Sequence, residues 1–345
     1  MKSTYSKKSR IGFMVFWLCF LFSCSDPKEQ YDGYLFAYFE GSGEAEKQEQ
    51  LRFAVSDDAV HWKALNNNEP IIASDKISQT GGIRDPHILR GTNDQYFYMV
   101  ATDMFTKKNG WDSNPGIVLM KSDNLLDWTP SWIDLEKTYP ERFKEIKWVW
   151  APQTIYDPEV KKYLIYFTVR FYTNDKLDFY SAYANEDFTG FESPPELMFS
   201  AKYGAIDGDI VEKDGIYHLF FKGNTKDETG YEFENGIQQA TSTSLQGPWK
   251  EDFKYLDAYA GEPTLVEGSS VFKLNGKEEY FLMYDLYTSQ RYEYQISNDL
   301  VNFSDTTGTF TKDFNPRHGS VISITKAEAR NLQEKWGGVP RSLLE

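Results

Sequence analysis

The chain has 345 residues, a formal net charge of −15 and an aromatic content of 17%. This length allows one large all-β domain or two small ones. The acidic charge repels nucleic acid and anionic polymers, so we expect no nucleic-acid partner and favour neutral substrates.

The N-terminal segment has the order of charge and hydrophobicity that is typical of a secretory signal. An apolar run from Ile11 to Phe22 is too short for a comfortable membrane span. It follows four basic residues, Lys2, Lys7, Lys8 and Arg10. The run ends in Leu21-Phe22-Ser23-Cys24, which resembles the lipobox of bacterial lipoproteins. The resemblance implies cleavage before Cys24 and lipid attachment to it; an ordinary signal with an incidental cysteine is the alternative.

These features define the expected domain organisation. We expect residues 1–23 to be a lipoprotein signal peptide and residues 24–32 a tether, and no linker divides residues 33–345, which we read as a single domain. The protein would be exported as a monomer and anchored by lipid to a bacterial membrane, at the outer membrane or on the cell-surface or periplasmic side. Both cysteines, Cys19 and Cys24, precede the domain, which excludes a disulfide or a cysteine metal site within it.

Five similar short segments recur at intervals of about 50 to 65 residues, which is the spacing of a repeat architecture. These openers are Arg84-Asp85-Pro86, Trp150-Ala151-Pro152, Ile206-Asp207-Gly208, Val266-Glu267-Gly268 and Arg317-His318-Gly319. A repeat of this size indicates a stack or a ring of similar units. A ring would bring the start of every unit to one central point.

Each unit contains two further signatures. Four openers are followed by short aromatic segments whose composition favours strands buried on both faces, namely 96–102, 163–168, 217–222 and 280–285. Each unit then closes with a small polar residue, a turn and a final aromatic residue: Trp62, Trp128, Phe191, Trp249 and Phe303. We expect these closing aromatic residues to fill the space between neighbouring units.

Five units of three or four antiparallel strands predict an all-β fold, a five-bladed β-propeller. The first unit lacks an opener and the last opener lacks a strand pair, so the strand from Gly319 to Ile324 is expected to join the N-terminal blade and close the ring. A β-sandwich and an open β-solenoid are the alternatives. A short C-terminal helix is predicted over residues 325–336, because Thr325 and Glu328 can form a capping box.

Three openers carry a carboxylic acid, Asp85, Asp207 or Glu267. The inner strands of a propeller line its axis, so these acids should face one funnel. Glycoside hydrolysis needs two carboxyl groups beside the scissile bond, and a separation of roughly 6.5–9.5 Å admits the water of an inverting reaction. A third carboxylate would raise the pKa of the acid by like-charge repulsion. Taken singly, each acid could be a turn residue.

Together these motifs resemble the signature series of glycoside hydrolase family 43, over about Tyr34 to Trp336. The resemblance implies a five-bladed propeller with an inverting mechanism. It also implies that Asp85 is the general base, that Asp207 tunes and orients the acid, and that Glu267 is the general acid.

The sequence departs from the family pattern at two of these acids. Gly208 stands where the family commonly has proline, which makes Asp209 a rival for the tuning role. Ser269 follows Glu267-Gly268 where the family often has proline or alanine, and Glu262 is a rival acid that sits far before the next strand.

Other side chains are expected to bind the sugar. Trp150 would stack on a sugar face, and Arg84 would contact the substrate or brace the blade. His318 resembles a family histidine at the bottom of the pocket, sometimes beside a Ca²⁺ or Na⁺ ion in the central channel; a core histidine is the alternative. Arg291 would hold carboxylates and sugar hydroxyls, or form a surface salt bridge. Rim positions are expected at Trp148, Phe171 and Tyr172.

The resemblance favours an α-L-arabinofuranosidase that removes terminal sugars from plant-type or related polysaccharides. No cofactor is required for that reaction, a structural ion aside. β-D-Galactofuranosidase and β-xylosidase activities are close alternatives, since pocket loops decide among these sugars. A glycan-binding lipoprotein without catalytic activity is the alternative of another class.

Overall fold

The computed structural model describes residue 1 and residues 30–226, 232–259, 265–305 and 307–345. The described residues do not include 2–29, which contain the rest of the predicted signal peptide, Cys19 and the proposed lipid site Cys24. They also do not include the rival acid Glu262. Residues 31–345 form one compact unit. Within the described ranges no helix has the length and apolar character needed to cross a membrane.

The described chain forms five sheets, which are the five blades of the predicted propeller. The closing blade contains β1 (Gly33–Tyr38), β2 (Arg52–Ser56) and β3 (His61–Ala64). Blade I contains β4 (Ile83–Arg90), β5 (Phe97–Asp103), β6 (Gly116–Ser122) and β7 (Thr129–Asp134). Blade II contains β8 (Ile146–Asp157), β9 (Lys162–Phe171), β10 (Asn174–Tyr183) and β11 (Glu196–Phe199). Blade III contains β12 (Ala205–Lys213), β13 (Ile216–Lys226), β14 (Glu232–Ser242) and β15 (Lys250–Glu251). Blade IV contains β16 (Glu267–Lys273), β17 (Tyr280–Leu286), β18 (Arg291–Ser297) and β19 (Gly308–Thr309).

The two ends of the chain share the closing blade, as predicted. Strand β20 (Thr311–Lys312) pairs parallel with β3, and β21 (Gly319–Ile324) pairs antiparallel with β1. The β1–β21 register runs from Gly33 opposite Ile324 to Tyr38 opposite Gly319. This pairing joins the last long strand of the chain to the first strand and completes the fifth blade, which closes the ring and rules out the β-sandwich and the open solenoid.

The apolar core is divided into five clusters, each between two neighbouring blades. Each cluster includes one of the predicted closing aromatic residues, Trp62, Trp128, Phe191, Trp249 and Phe303. Large aromatic side chains contribute most to such packing, about 2–3 kcal/mol each when fully buried. The predicted role of these residues between neighbouring units is therefore confirmed.

The predicted C-terminal helix is also confirmed. It is α4 (Lys326–Trp336), it begins at a capping box between Thr325 and Glu328, and it packs on the cluster between the closing blade and blade I. The Arg90 guanidinium donates to both Glu328 carboxylate oxygens, at 2.9 and 2.7 Å, which ties the helix to β4. Three shorter helices lie in loops of blades I and II: α1 (Thr106–Asn109), α2 (Leu135–Thr138) and α3 (Pro140–Phe143).

Candidate active site

The inner strands of blades I to IV each contain a bulge at the same place. The strand register shifts after Arg84, Trp150, Ile206 and Glu267. The bulge residue then has a positive φ: 51° at Asp85, 45° at Ala151, 54° at Asp207 and 64° at Gly268. Bulges re-aim side chains, and left-handed residues other than glycine are costly enough to be concentrated at functional sites. The bulges therefore set the directions of the Asp85 and Asp207 side chains.

The bulge positions correct one part of the predicted alignment. Asp85 and Asp207 occupy equivalent places, but the equivalent residue in blade IV is Gly268, and Glu267 stands one position earlier. A side chain at Gly268 would meet His318, whose Cβ lies 2.8 Å from the position of an added Cβ. His318 therefore fills the space that a bulge side chain of blade IV would need.

The three predicted acids nevertheless line one cavity of about 460 Å³. Arg84, Trp150 and His318 line it as well. Other side chains that line the cavity include Glu49, Lys107, Trp111, Lys222, Tyr287 and Arg317. Acids from blades I, III and IV thus share one space with cations from blades I and III and from the segment that leads into β21.

His318 lies between two of the acids. Its Nδ1 atom is 3.5 Å from Asp85 Oδ1 and 3.8 Å from Asp207 Oδ1. Burial by itself lowers the pKa of His318, but the two carboxylates outweigh burial and raise the pKa to about 9. The imidazole is therefore cationic at neutral pH and joins the acids of blades I and III.

Asp85 is held as an anion. The Thr102 hydroxyl donates to Asp85 Oδ2 at 2.9 Å and accepts from the Ala151 amide at 2.9 Å, which fixes the carboxylate between blades I and II. Burial alone would raise the pKa of Asp85, but the contact with His318, together with the charge of Arg84, lowers it. An ionised carboxylate in this position can accept a proton.

Asp207 has the opposite electrostatic character. Burial and the charge of Glu267 raise the pKa of Asp207, even though His318 and Lys222 act against them. Its Oδ2 atom accepts the Gly268 amide at 2.9 Å, so Asp207 holds the peptide that follows Glu267. The rival Asp209 is not among the residues lining the cavity; its Oδ2 accepts the Val271 amide at 2.6 Å inside the ring.

The sequence predicted that like-charge repulsion would raise the pKa of Glu267, but the surroundings of this residue have the opposite effect. Its two carboxylate oxygens are occupied by two cations, with Lys222 Nζ 3.0 Å from Oε2 and Arg317 Nη2 2.7 Å from Oε1. Burial would raise the pKa of Glu267, but Lys222 and Arg317 together lower it. The pKa that is raised is that of Asp207, by burial and by like-charge repulsion from Glu267.

Arg317 takes the place that was predicted for Arg291. It contacts Glu267, and its Nε atom donates to Asp285, which is 1% exposed. Arg291 is not among the residues lining the cavity, and its Nη1 atom lies 3.1 Å from the buried carboxylate of Glu293. Arg291 therefore forms a salt bridge, as its alternative role required, but the partner carboxylate is buried and not at the surface.

The aromatic rim is narrower than predicted. Trp150 lines the cavity and donates to Asn114, while Trp148 stacks behind it with ring centroids 4.1 Å apart. Phe171 packs against Phe143 between blades I and II. The exposed ring at the rim is Trp111, whose edge contacts Trp150.

Arg84 has the bracing role that was proposed for it, and its contact with the substrate stays a prediction. It lines the cavity, and its Nη1 atom lies 2.8 Å from Oε1 of the buried Glu49. The guanidinium also lies over the rings of Phe39 and Trp111, at 4.7 and 4.9 Å. Arg84 thus braces the closing blade against blade I at the edge of the cavity.

Sequence reasoning missed several side chains that contact the three acids, although the sequence contains one indication of where they lie. The second strand of each of blades I to IV carries a polar residue opposite the residue before the bulge: Thr102, Thr168, Lys222 and Asp285. In all four strands this polar residue is the last residue of the aromatic segment that defined the repeat. A lysine or an aspartate there is unusual in a buried strand and marks the site.

The Ca²⁺ or Na⁺ ion expected beside His318 stays a prediction. Within the described ranges no group of three or more His, Cys, Asp or Glu side chains is arranged to hold a metal ion.

We expect the protein to lose stability as the pH rises from 6.5 to about 9, the ordinary and the folded-state pKa of His318. The folded state keeps a proton that the unfolded state releases first, so the stabilisation is complete below the unfolded pKa and is lost through the folded pKa. The buried His87 and His218 have lowered pKa values, so they titrate below this pH range and do not contribute to the loss of stability within it. Urea unfolding should show this slope in the wild type and a flatter one in His318→Gln; equal slopes would contradict the assignment.

Known proteins resemble this chain in sequence and in fold. A family model described as a probable glycosyl hydrolase domain, related to glycoside hydrolase family 43, matches residues 29–330. An α-L-arabinofuranosidase from Bifidobacterium longum subsp. longum is 25% identical over 89% of this chain and 32% of the relative. The chain therefore spans about a third of that relative's length.

Solved structures share the fold at low identity. A family 43 β-1,3-galactosidase superimposes with a TM-score of 0.55 at 14% identity, over 84% of this chain and 57% of that chain. An endo-arabinase from Bacteroides thetaiotaomicron superimposes with a TM-score of 0.52 at 16% identity, over 86% of this chain and 94% of that chain. At these identities the likeness shows the propeller fold alone.

Proposed function

This chain belongs to the probable glycosyl hydrolase domains related to glycoside hydrolase family 43. We propose that it is a glycoside hydrolase, and more specifically an inverting α-L-arabinofuranosidase acting on terminal sugars. The observation that carries the proposal is the shared cavity, which Asp85, Asp207 and Glu267 line together although they come from three different blades. Arabinose is supported by the name of the 25% identical relative. The family membership does not favour the binding protein without catalytic activity that the sequence left open.

In the proposed reaction Asp85 is the general base. Its carboxylate accepts a proton from a water molecule, which attacks the anomeric carbon from the face opposite the leaving group. Thr102 orients the carboxylate, and His318 keeps it ionised. The base is therefore ready at neutral pH and needs no metal-bound water.

Glu267 is the proposed general acid, which protonates the leaving oxygen. Asp207 orients it through the Gly268 amide, and burial together with the charge of Glu267 raises the pKa of Asp207. Trp150 supplies an apolar face for the sugar ring, and Arg84 a donor at the cavity edge.

The test is product analysis on arabinan, arabinogalactan, nitrophenyl furanosides and a nitrophenyl β-D-xyloside. We expect release of arabinose, with the fresh product in the inverted anomeric configuration by NMR. A retained anomer would contradict the assigned mechanism. Release of galactofuranose or xylose in place of arabinose would select one of the two alternative sugars, and binding without turnover would contradict the hydrolase role.

We also propose that the protein is exported and carries lipid on Cys24. The support is the order of basic residues, apolar run and lipobox-like sequence at the N-terminus. Labelled palmitate should enter the membrane-bound protein and be lost with Cys24→Ala; unchanged labelling would refute the anchor.

A further inference from the structure

The contacts of Glu267 raise a difficulty for its proposed role. A general acid must carry a proton before it can donate one, yet both oxygens of this carboxylate face a cation, at 3.0 Å from Lys222 and 2.7 Å from Arg317. Hydrogen bonds from charged donors are stronger than those from neutral donors, and here each one favours the ionised form. At least one of the two contacts must therefore weaken during the reaction.

The two cations differ in how firmly they are held. Arg317 is fixed from behind by Asp285, which is almost completely buried, and separating such a pair would leave a buried charge without compensation. Lys222 reaches Glu267 from β13 on a flexible four-carbon chain with three donors. Its ammonium also lies 5.4 Å from the Tyr287 ring, at the wall of the cavity. Lys222 is therefore the cation that can change partner at low cost.

We propose that Lys222 is a positioning residue for Glu267. Before a sugar binds, Lys222 holds the Glu267 carboxylate against Arg317. After a sugar binds, Lys222 transfers its hydrogen bond from Glu267 to a sugar hydroxyl. Glu267 then takes up one proton from solvent and delivers it to the leaving oxygen. The inference rests on the proposed role of Glu267 as the acid. Five other charged groups act on Glu267 or are acted on by it: Asp207, Asp285, Arg84, Arg317 and His318.

The experiment compares Lys222→Met, which removes the charge, with Lys222→Arg, which keeps it. The readout is the pH profile of kcat/KM, which reports the pKa values of the unbound enzyme. Loss of the acid's proton sets the alkaline limb, and Lys222→Met should move that limb up by about one pH unit, a tenfold change in protonated Glu267 above the limb. Lys222→Arg should leave it near the wild-type position.

Leaving groups separate this role from a structural one. The shift should be clear with an alkyl arabinofuranoside, whose leaving group needs a proton, and weak with a dinitrophenyl glycoside, which leaves without one. A misfolded site would lower both rates together, so thermal unfolding accompanies each variant, and Lys222→Gln replaces Lys222→Met if the latter does not fold.

An unchanged alkaline limb in a folded variant without the charge overturns the inference, and so does an equal effect on both leaving groups. Failure of the proposed function can be told apart from failure of this inference. If Glu267 is not the general acid, Glu267→Gln retains wild-type turnover of the alkyl glycoside.

Discussion

Replacing Asp85 by asparagine is expected to lower kcat/KM on the best glycoside by about 10³-fold, the usual contribution of a general base. Asparagine tolerates the left-handed backbone at this bulge, where φ is 51°. Its amide oxygen can still accept the Thr102 hydroxyl, so the fold and the position are kept. The variant loses only the ability to take a proton from water. Steady-state kinetics with an alkyl or oligosaccharide substrate measures this loss.

Asp209→Asn is the matched control, because Asp209 is also a buried aspartate of an inner strand. Its carboxylate accepts the Val271 amide, a contact that an asparagine oxygen can reproduce, and it is not among the residues lining the cavity. We expect activity to stay within about tenfold of the wild type. If Asp209→Asn is as damaging as Asp85→Asn, or if Asp85→Asn keeps a tenth of the activity, the catalytic assignment is wrong.

Replacing Gly319 by alanine is expected to lower the free energy of unfolding by about 3 kcal/mol, at the upper end of the usual cost of overpacking. The added Cβ would lie 2.0 Å from the Ala37 carbonyl oxygen and 3.0 Å from the Ala37 carbonyl carbon. Both are backbone atoms of β1, so relief requires the β1–β21 pair to separate. That pair closes the ring and holds the adjacent His318. Urea unfolding should show the loss of stability, together with reduced activity.

Gly190→Ala is the control for this change. Its nearest neighbour would be the Asn185 side-chain amide at 3.6 Å, which is ordinary contact. The stability of Gly190→Ala should lie within about 0.5 kcal/mol of the wild type. A Gly319→Ala variant as stable as this control would show that the ends of the chain can move apart without cost.

The fold could be predicted from the sequence because its signals are local and repeated. The aromatic strand, the turn and the closing aromatic recur with each blade, and each closing residue occupies a cluster between blades. The capping box at Thr325 and Glu328 is likewise contained within four residues. Closure by β21 followed from counting incomplete units at the two ends.

The candidate site was predictable only in part. Asp85, Asp207 and Glu267 stood at the start of their repeats, and the ring brings them to one cavity. The one-residue offset of Glu267 was not visible, because a bulge is a property of two paired strands and not of one segment. Arg291 was preferred over Arg317 for a similar reason, since position along the chain does not tell which way a side chain points.

The sequence by itself determined the repeat, the ring and the acids that the ring gathers, because periodicity and turn chemistry are written in neighbouring residues. Only the tertiary structure decided the charge state of those acids. Lys222 and Arg317 lie 45 and 50 residues from Glu267 along the chain, yet both contact its carboxylate. A pKa depends on burial and on charges within a few ångströms, and these are fixed only when distant segments pack together.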